Sequence, residues 1–160
     1  MVFAAGRPGH GIAASVNANF INEGADMESK LSAWAPQLLS VLRIITGLTL
    51  FQFGVAKIFK FPVLPYFADL PPLIVAAGLL ELVLGALLLV GLYSRIAAFI
   101  LAGEMAFAYF LGHMFKTGAP VFLPLNNGGT LAIVFCFTCL YLAAAGPGPW
   151  SLDAKLRGKS

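Results

Sequence analysis

One apolar stretch with a single charged residue constrains the fold of this chain more than any other feature. Residues 73–93 read LIVAAGLLELVLGALLLVGLY, and Glu81 is the one charged residue among them. A helix of about 20 such residues crosses the hydrocarbon core of a bilayer, which is about 30 Å thick. A carboxyl group inside such a helix is costly in lipid, so it indicates a contact with another helix, a partner or water. Gly78 and Gly85 share a helical stripe with Glu81 and predict close approach of a neighbouring helix.

The composition places the whole chain in the membrane class. Of its 160 residues, 59% are hydrophobic and 11% are charged, whereas soluble domains have about 25% charged residues. The net charge is +3, but the basic residues are scattered singly, which argues against a nucleic-acid partner. We therefore expect an all-α membrane protein whose surface contacts lipid.

Four apolar segments predict a bundle of four transmembrane helices. They span about residues 36–58, 73–93, 95–114 and 127–145, within a membrane domain of residues 33–146. Residues 1–32 form a predicted polar tail, in which Met27 is an alternative start of translation. Residues 147–160 predict a short amphipathic tail with Ser151 as its helix cap. Four spans place both termini on one side, and the distribution of lysine and arginine favours the cytoplasmic side.

Three charged residues inside these segments predict a buried polar cluster. Arg43, Glu81 and Glu104 fall at similar depths when the rise per residue is counted from the predicted helix ends. Opposite charges in a bundle interior pair with one another, so we expect an Arg43–Glu81 ion pair with Glu104 as a third member. Two roles stay open for the cluster. It is either a structural clasp that fixes helix register or a site for a proton, an ion or a headgroup.

A second set of polar residues falls near the predicted helix ends, where we expect the membrane interface; it comprises Lys57, Arg95, His113, Asn126 and Asn127. The Lys57 side chain is expected to reach the headgroups. His113 lies on the opposite face of its helix from Glu104, so the two are not expected to share a site. The sequence has no cluster with metal-ligand spacing, and neither a metal nor a covalently bound cofactor is expected.

Cys136 and Cys139 form a C-x-x-C pattern inside the fourth apolar segment. A reactive thiol is usually stabilised as the thiolate by a helix N-terminus or a nearby cation, and a position in the middle of an apolar helix provides neither. We therefore expect both cysteines to be packing residues. A pair of redox-active thiols is the alternative.

The order of glycines and charged residues along the chain resembles that of the DoxX family of prokaryotic membrane proteins. The resemblance covers about residues 38–154. It rests on Arg43 and Gly47, on Gly54 and Lys57, on Glu81, Gly85, Gly91 and Arg95, on Asn127, Gly128 and Gly129, and on Gly146, Pro147, Gly148, Ser151 and Asp153. The chain departs from the family pattern at Thr130, where many members have glutamate, and at Glu104, where an apolar residue is more common.

The resemblance implies a four-helix protein of the inner membrane that is associated with redox complexes. Relatives include a subunit of a thiosulfate:quinone oxidoreductase and a mycobacterial partner of detoxifying oxidoreductases. By this analogy we expect a non-catalytic subunit that anchors or stabilises a respiratory or redox complex and lines a quinone or lipid site. The alternatives are a quinone-linked thiol or sulfur oxidoreductase and a small proton-linked transporter.

Overall fold

The computed structural model describes the backbone of residues 10–158 and the side chains of residues 22–158. Residues 1–9 and 159–160 of the two predicted tails lie outside this part. The chain divides into two units, Met1–Ala35 and Pro36–Ser160. Each is described separately.

The first unit is helical from His10, where helix α1 (His10–Phe59) begins. The sequence predicts a helix start near Pro36, but Pro36 lies inside α1. A proline removes one backbone donor and restricts the residue before it, so it favours a helix boundary without enforcing one. Lys30 forms an ion pair with Asp26 at 2.6 Å between Nζ and Oδ2. Both side chains are exposed, and such pairs contribute little to stability.

The second unit contains the rest of α1, from Pro36 onward, and the remaining helices, which are α2 (Pro72–Val90), α3 (Ser94–Phe107), α4 (Pro124–Asn127), α5 (Thr130–Ala145) and α6 (Leu152–Leu156). Helix α3 continues as a π-helix over Ala108–Met114, and a short 3-10 helix covers Pro65–Phe67. Ser151 caps α6 by accepting a hydrogen bond from the backbone N–H of Ala154, as predicted. The described residues contain no strand, and the predicted all-α class is confirmed.

Three helical stretches in the described part are long and apolar enough to cross a membrane, namely Asn22–Phe59, Pro72–Val90 and Ser94–Met114. The fourth apolar helix, α5, has 16 residues and falls below the length of a typical span. The sequence predicts that it begins at residue 127. It begins at Thr130 instead, because Gly128 has a φ of +76° and ends the short helix α4.

Four helices of the second unit contribute to one apolar core. Its fully buried members include Leu50 from α1, Leu88 from α2, Leu101 from α3, and Cys139 and Leu142 from α5. Large apolar side chains on the outward faces of the helices are not covered by the chain. In water such a surface would be a liability, whereas in a bilayer it contacts acyl chains. The fold therefore has a small internal core and a lipid-facing exterior.

Candidate functional site

Glycines of α1 bring its backbone against that of α2. A Cβ atom added at Gly47 would lie 2.5 Å from the backbone nitrogen of Leu89. A Cβ atom added at Gly54 would collide with the backbone of Leu82. These two positions accept glycine alone without movement of a helix. The close approach of a neighbouring helix that Gly78 and Gly85 predict is therefore confirmed, and that neighbour is α1.

The glycines of α2 complete the same contact from the other side. A Cβ atom at Gly85 would lie 2.7 Å from the backbone nitrogen of Phe51, and one at Gly78 would lie 2.7 Å from the Cβ atom of Lys57. As the residue number rises along α1 the partner number falls along α2, so the helices are antiparallel. This register sets Lys57 opposite Gly78, which lies about one turn of α2 before Glu81.

Lys57 and Glu81 form an ion pair inside the bundle. The Lys57 Nζ atom donates to Glu81 Oε1 at 2.7 Å and to Oε2 at 2.6 Å. The two side chains are 13% and 3% exposed. The Lys57 ammonium group also lies 5.9 Å from the centre of the Phe53 ring, within range of a cation–π interaction. The expectation that the Lys57 side chain reaches the headgroups is wrong. Its ammonium group instead pairs with Glu81 on α2, inside the bundle.

Glu104 on α3 approaches this ion pair. It lies near enough to Glu81 and Lys57 for electrostatic interaction with both. Its Oε2 atom is buried and has no hydrogen-bond partner among the described residues. We refer to Lys57, Glu81 and Glu104 as the intramembrane cluster. Because the first two neutralise each other, Glu104 is the member whose hydrogen-bonding capacity is unused.

The intramembrane cluster borders the lipid-facing side of α3. Glu104 itself is half-buried. Ile100 and Phe107, one turn before and after it, are 41% and 69% exposed. On the inner side, the thiol of Cys139 in α5 lies near enough to Glu104 for electrostatic interaction. Glu104 thus lies between the lipid-facing side of α3 and the apolar core.

Arg43 does not join the intramembrane cluster, and the predicted Arg43–Glu81 pair is wrong. Its Nη1 atom donates to the carbonyl oxygens of Leu88 at 2.5 Å and Leu89 at 2.7 Å. Its Nε and Nη2 atoms donate to the carbonyl oxygens of Pro147 at 2.8 Å and Trp150 at 2.5 Å. The antiparallel register sets Arg43 beside the last turn of α2, about 10 Å along the helix from Glu81.

The four bonds of Arg43 explain why a guanidinium group is buried there. The last carbonyl groups of a helix have no partner within it, and Leu88 and Leu89 belong to the last turn of α2. A cation at a helix C-terminus also interacts favourably with the helix dipole. Arg43 is 1% exposed, so its charge is compensated by these carbonyl dipoles rather than by water. We therefore assign Arg43 a structural role.

Two further charged residues bond to unpaired backbone groups at helix ends, Arg95 at the end of α5 and Asp153 at the start of α3. Arg95 donates from Nη1 to the carbonyl oxygens of Ala143 at 2.8 Å and Ala144 at 2.6 Å, in the last turn of α5. Asp153 accepts the backbone N–H groups of Tyr93 and Ser94, each at 2.9 Å, where α3 begins. Partial burial opposes ionisation of Asp153, but these hydrogen bonds outweigh it and hold the pKa of the carboxyl group below its usual value.

The sequence itself matches a known family. The DoxX family model matches residues 38–114. An uncharacterized protein of Haemophilus influenzae is 37% identical over 130 residues, covering 79% of this chain and 96% of that protein. The chain belongs to the DoxX family. An uncharacterized membrane protein of Mycobacterium tuberculosis is 27% identical over 145 residues, covering 79% of this chain and 85% of that protein. No solved structure matches the chain significantly.

Family membership and the apolar helices together define the location of the protein. As a DoxX-family chain with three candidate membrane spans, it is a multi-pass protein of the prokaryotic inner membrane and contacts lipid.

Two glycines of the DoxX-like pattern border the Arg43 contacts. Gly91 has a φ of +77°, and a Cβ atom there would lie 2.5 Å from the Cβ atom of Ser151. Gly148 has a φ of +74° and packs against Ser40. Part of the DoxX-like pattern thus has a structural explanation.

The Asn-Gly-Gly segment of the DoxX-like pattern fastens the loop before α5. The Asn127 side chain donates to the carbonyl oxygen of Val121 and accepts the backbone N–H of Gly129, both at 2.7 Å. His113 Nδ1 lies 3.2 Å from the carbonyl oxygen of Asn127. Asn126 is exposed, and its backbone N–H bonds to Leu123. These contacts hold a loop and do not involve the intramembrane cluster.

The two cysteines of this DoxX-family chain are free thiols. Cys139 is fully buried in the core beside Leu101 and Leu142, and Cys136 packs against that core from a half-buried position. The described residues contain no group of three or more histidine, cysteine, aspartate or glutamate side chains that could hold a metal ion.

Proposed function

We propose that this DoxX-family protein is a non-catalytic membrane subunit of a respiratory or redox complex, and that its intramembrane cluster lines a quinone site. The observation that carries the proposal is the unpartnered, buried Oε2 atom of Glu104 beside a complete ion pair. Buried polar atoms without partners are rare in folded proteins and call for an explanation such as a bound ligand.

Charge balance defines what the intramembrane cluster can offer to a ligand. It contains one basic and two acidic side chains, so it is neutral when one carboxyl group carries a proton. An uncompensated charge at this depth would be costly. With Glu81 bonded to Lys57 through both oxygens, the proton resides on Glu104. A neutral Glu104 carboxyl group donates one hydrogen bond, and the carbonyl oxygen of a quinone accepts one.

The two alternative functions fit the described residues less well. A thiol oxidoreductase needs a thiol that substrate can reach, and Cys139 is fully buried. A proton-linked transporter would use the same cluster, but both Glu81 oxygens are already bonded to Lys57. The anchoring role is favoured by the large apolar surface that the chain leaves uncovered.

The proposal is tested by native mass spectrometry of the protein extracted from its own membranes in a mild detergent. We expect a co-purifying redox partner and bound quinone. Glu104→Leu should lose most of the quinone while keeping the partner, whereas Glu104→Gln should retain more of it because an amide still donates a hydrogen bond. Gly103→Ala is the matched control, since a Cβ atom there meets nothing within 4 Å. Absence of both quinone and partner from the wild-type protein would contradict the proposal.

We propose a topology of four membrane spans with both termini in the cytoplasm, in which α5 is the fourth span. The distribution of basic residues supports this orientation. In a variant without native cysteines, a cysteine at Ser29 should resist an impermeant thiol reagent in intact cells. A cysteine at Thr117, in the loop after α3, should be labelled. The reverse labelling pattern would refute this orientation.

A further inference from the structure

A partly open cavity lies where α3 begins and α6 passes beside it. Its volume is about 350 Å³, and the residues that line it include Ser94, Arg95, Ile96, Asp153, Leu156 and Arg157. Ser94 is the first residue of the candidate membrane span Ser94–Met114. We therefore expect the cavity at the end of a span, at headgroup level. About 15 Å along α3 separates Ser94 from Glu104, so this cavity is distinct from the intramembrane cluster.

The charge of the cavity favours an anion. Arg95 and Arg157 are both exposed there and supply two positive charges. Asp153 is the acidic residue in the lining, and both of its oxygens accept backbone N–H groups. The lining thus keeps a net positive charge. Asp153 also interacts electrostatically with Arg157, so one net positive charge remains for a ligand.

Ser94 lines the cavity beside its acidic residue and is 1% exposed. Its Oγ atom is buried and lies beside the Asp153 carboxylate, which also accepts the backbone N–H of Ser94. These two residues interact with each other, so the positive charge that remains for a ligand lies on Arg95 and Arg157.

The remaining wall of the cavity is apolar and continues down the lipid-facing side of α3. Ile96 and Leu156 are 63% and 77% exposed, and Phe99, nearly one turn further along α3, is 66% exposed. Inorganic phosphate would make no use of this wall. A molecule with an anionic head and an acyl chain would use both parts, because its chain can follow the exposed face of α3 into the bilayer.

We propose that this cavity binds the headgroup of an anionic phospholipid, with its phosphate between Arg95 and Arg157 and one acyl chain along Ile96 and Phe99. Arg95 also holds the end of α5, so replacing it would disturb the fold. Arg157 is exposed at the end of α6 and is the residue to change. Lys155 provides a matched control, because it lies on the same short helix with the same charge but does not line the cavity.

The experiment compares lipid adducts of the purified full-length protein by native mass spectrometry after mixing with phosphatidylglycerol or phosphatidylcholine at equal concentration. Wild-type protein should retain more phosphatidylglycerol. Arg157→Gln should lower that retention by roughly fivefold, the effect expected for one basic residue at an anionic headgroup. Lys155→Gln should stay within about twofold of wild type. Circular dichroism confirms that both variants fold, and Arg157→Glu should lower retention further.

Three results would overturn the proposal. Equal retention of the two lipids would mean that the cavity does not discriminate between headgroups. Equal losses for the Arg157 and Lys155 variants would mean a diffuse surface attraction instead of a site. Displacement of phosphatidylglycerol by millimolar inorganic phosphate would mean that the site binds a free anion and that the apolar wall contributes nothing.

Discussion

A double-mutant cycle on Lys57 and Glu81 tests the ion pair at the centre of the intramembrane cluster. Both Glu81 oxygens lie within 2.7 Å of the Lys57 Nζ atom, and the side chains are 13% and 3% exposed. The pair is therefore buried, and removing one partner typically costs about 3–5 kcal/mol because an uncompensated charge remains. Lys57→Met should lower the free energy of unfolding by this amount. Glu81→Leu should cost less, because Glu104 lies near enough to Lys57 to act as its counter-charge. The double variant should recover about 2–3 kcal/mol relative to the sum of the two losses.

The assay is reversible unfolding by sodium dodecyl sulfate in mixed micelles, with helicity followed by circular dichroism. The control is the cycle of Arg43→Met with Glu81→Leu. Arg43 bonds to carbonyl groups about 10 Å along α2 from Glu81, so these two losses should add within about 0.5 kcal/mol. Strong coupling of Glu81 to Arg43 with none to Lys57 would refute the helix register described above.

Three further predictions concern packing and pH. Gly85→Ala should destabilise the protein by about 1–3 kcal/mol through collision with α1, whereas Gly103→Ala should be neutral or stabilising by up to about 1 kcal/mol; thermal unfolding in detergent compares the two. Replacing Cys136 and Cys139 together by alanine should leave any activity of the isolated complex within about twofold, because both are assigned to packing; a loss of turnover with assembly intact would favour the oxidoreductase alternative. The pKa of Asp153 lies below its usual value of 3.8, so its stabilisation is present above that pH and disappears as the pH falls through the lowered pKa. Asp153→Asn should flatten the pH dependence of the melting temperature in this acidic range, and an unchanged profile would contradict this assignment.

The features that depend on local pattern were predictable from the sequence. Hydrophobic runs predicted the all-α class, and the glycine stripe around Glu81 predicted the close approach of a neighbouring helix, because both follow from residue spacing along one helix. The third charged member of the cluster, Glu104, was found because any carboxyl group in an apolar segment requires a partner.

The partner of Glu81 was not predictable by counting depth from helix ends. That count assumed a helix start at Pro36, and α1 instead continues through it. The register of two helices is set by which side chains fit between them, here Leu82 over Gly54, and depth alone does not contain this information. Aligning Gly47 and Gly54 of α1 with Gly85 and Gly78 of α2, in antiparallel order, would have placed Lys57 near Glu81. The four bonds of Arg43 reach carbonyl groups 45 to 107 positions away, and no local pattern encodes such contacts.

The bonds of Arg43 also have a consequence for how the chain is made. Its carbonyl partners at Pro147 and Trp150 follow it by 104 and 107 residues. During synthesis α1 leaves the ribosome long before those two carbonyl groups exist. Until the segment after α5 emerges, Arg43 Nε and Nη2 lack their carbonyl partners, whereas the Leu88 and Leu89 carbonyl groups are already available to Nη1. A chain that ends before residue 147 therefore keeps two of the four bonds of Arg43 and lacks the other two, so residues 147–160 complete the burial of this cation.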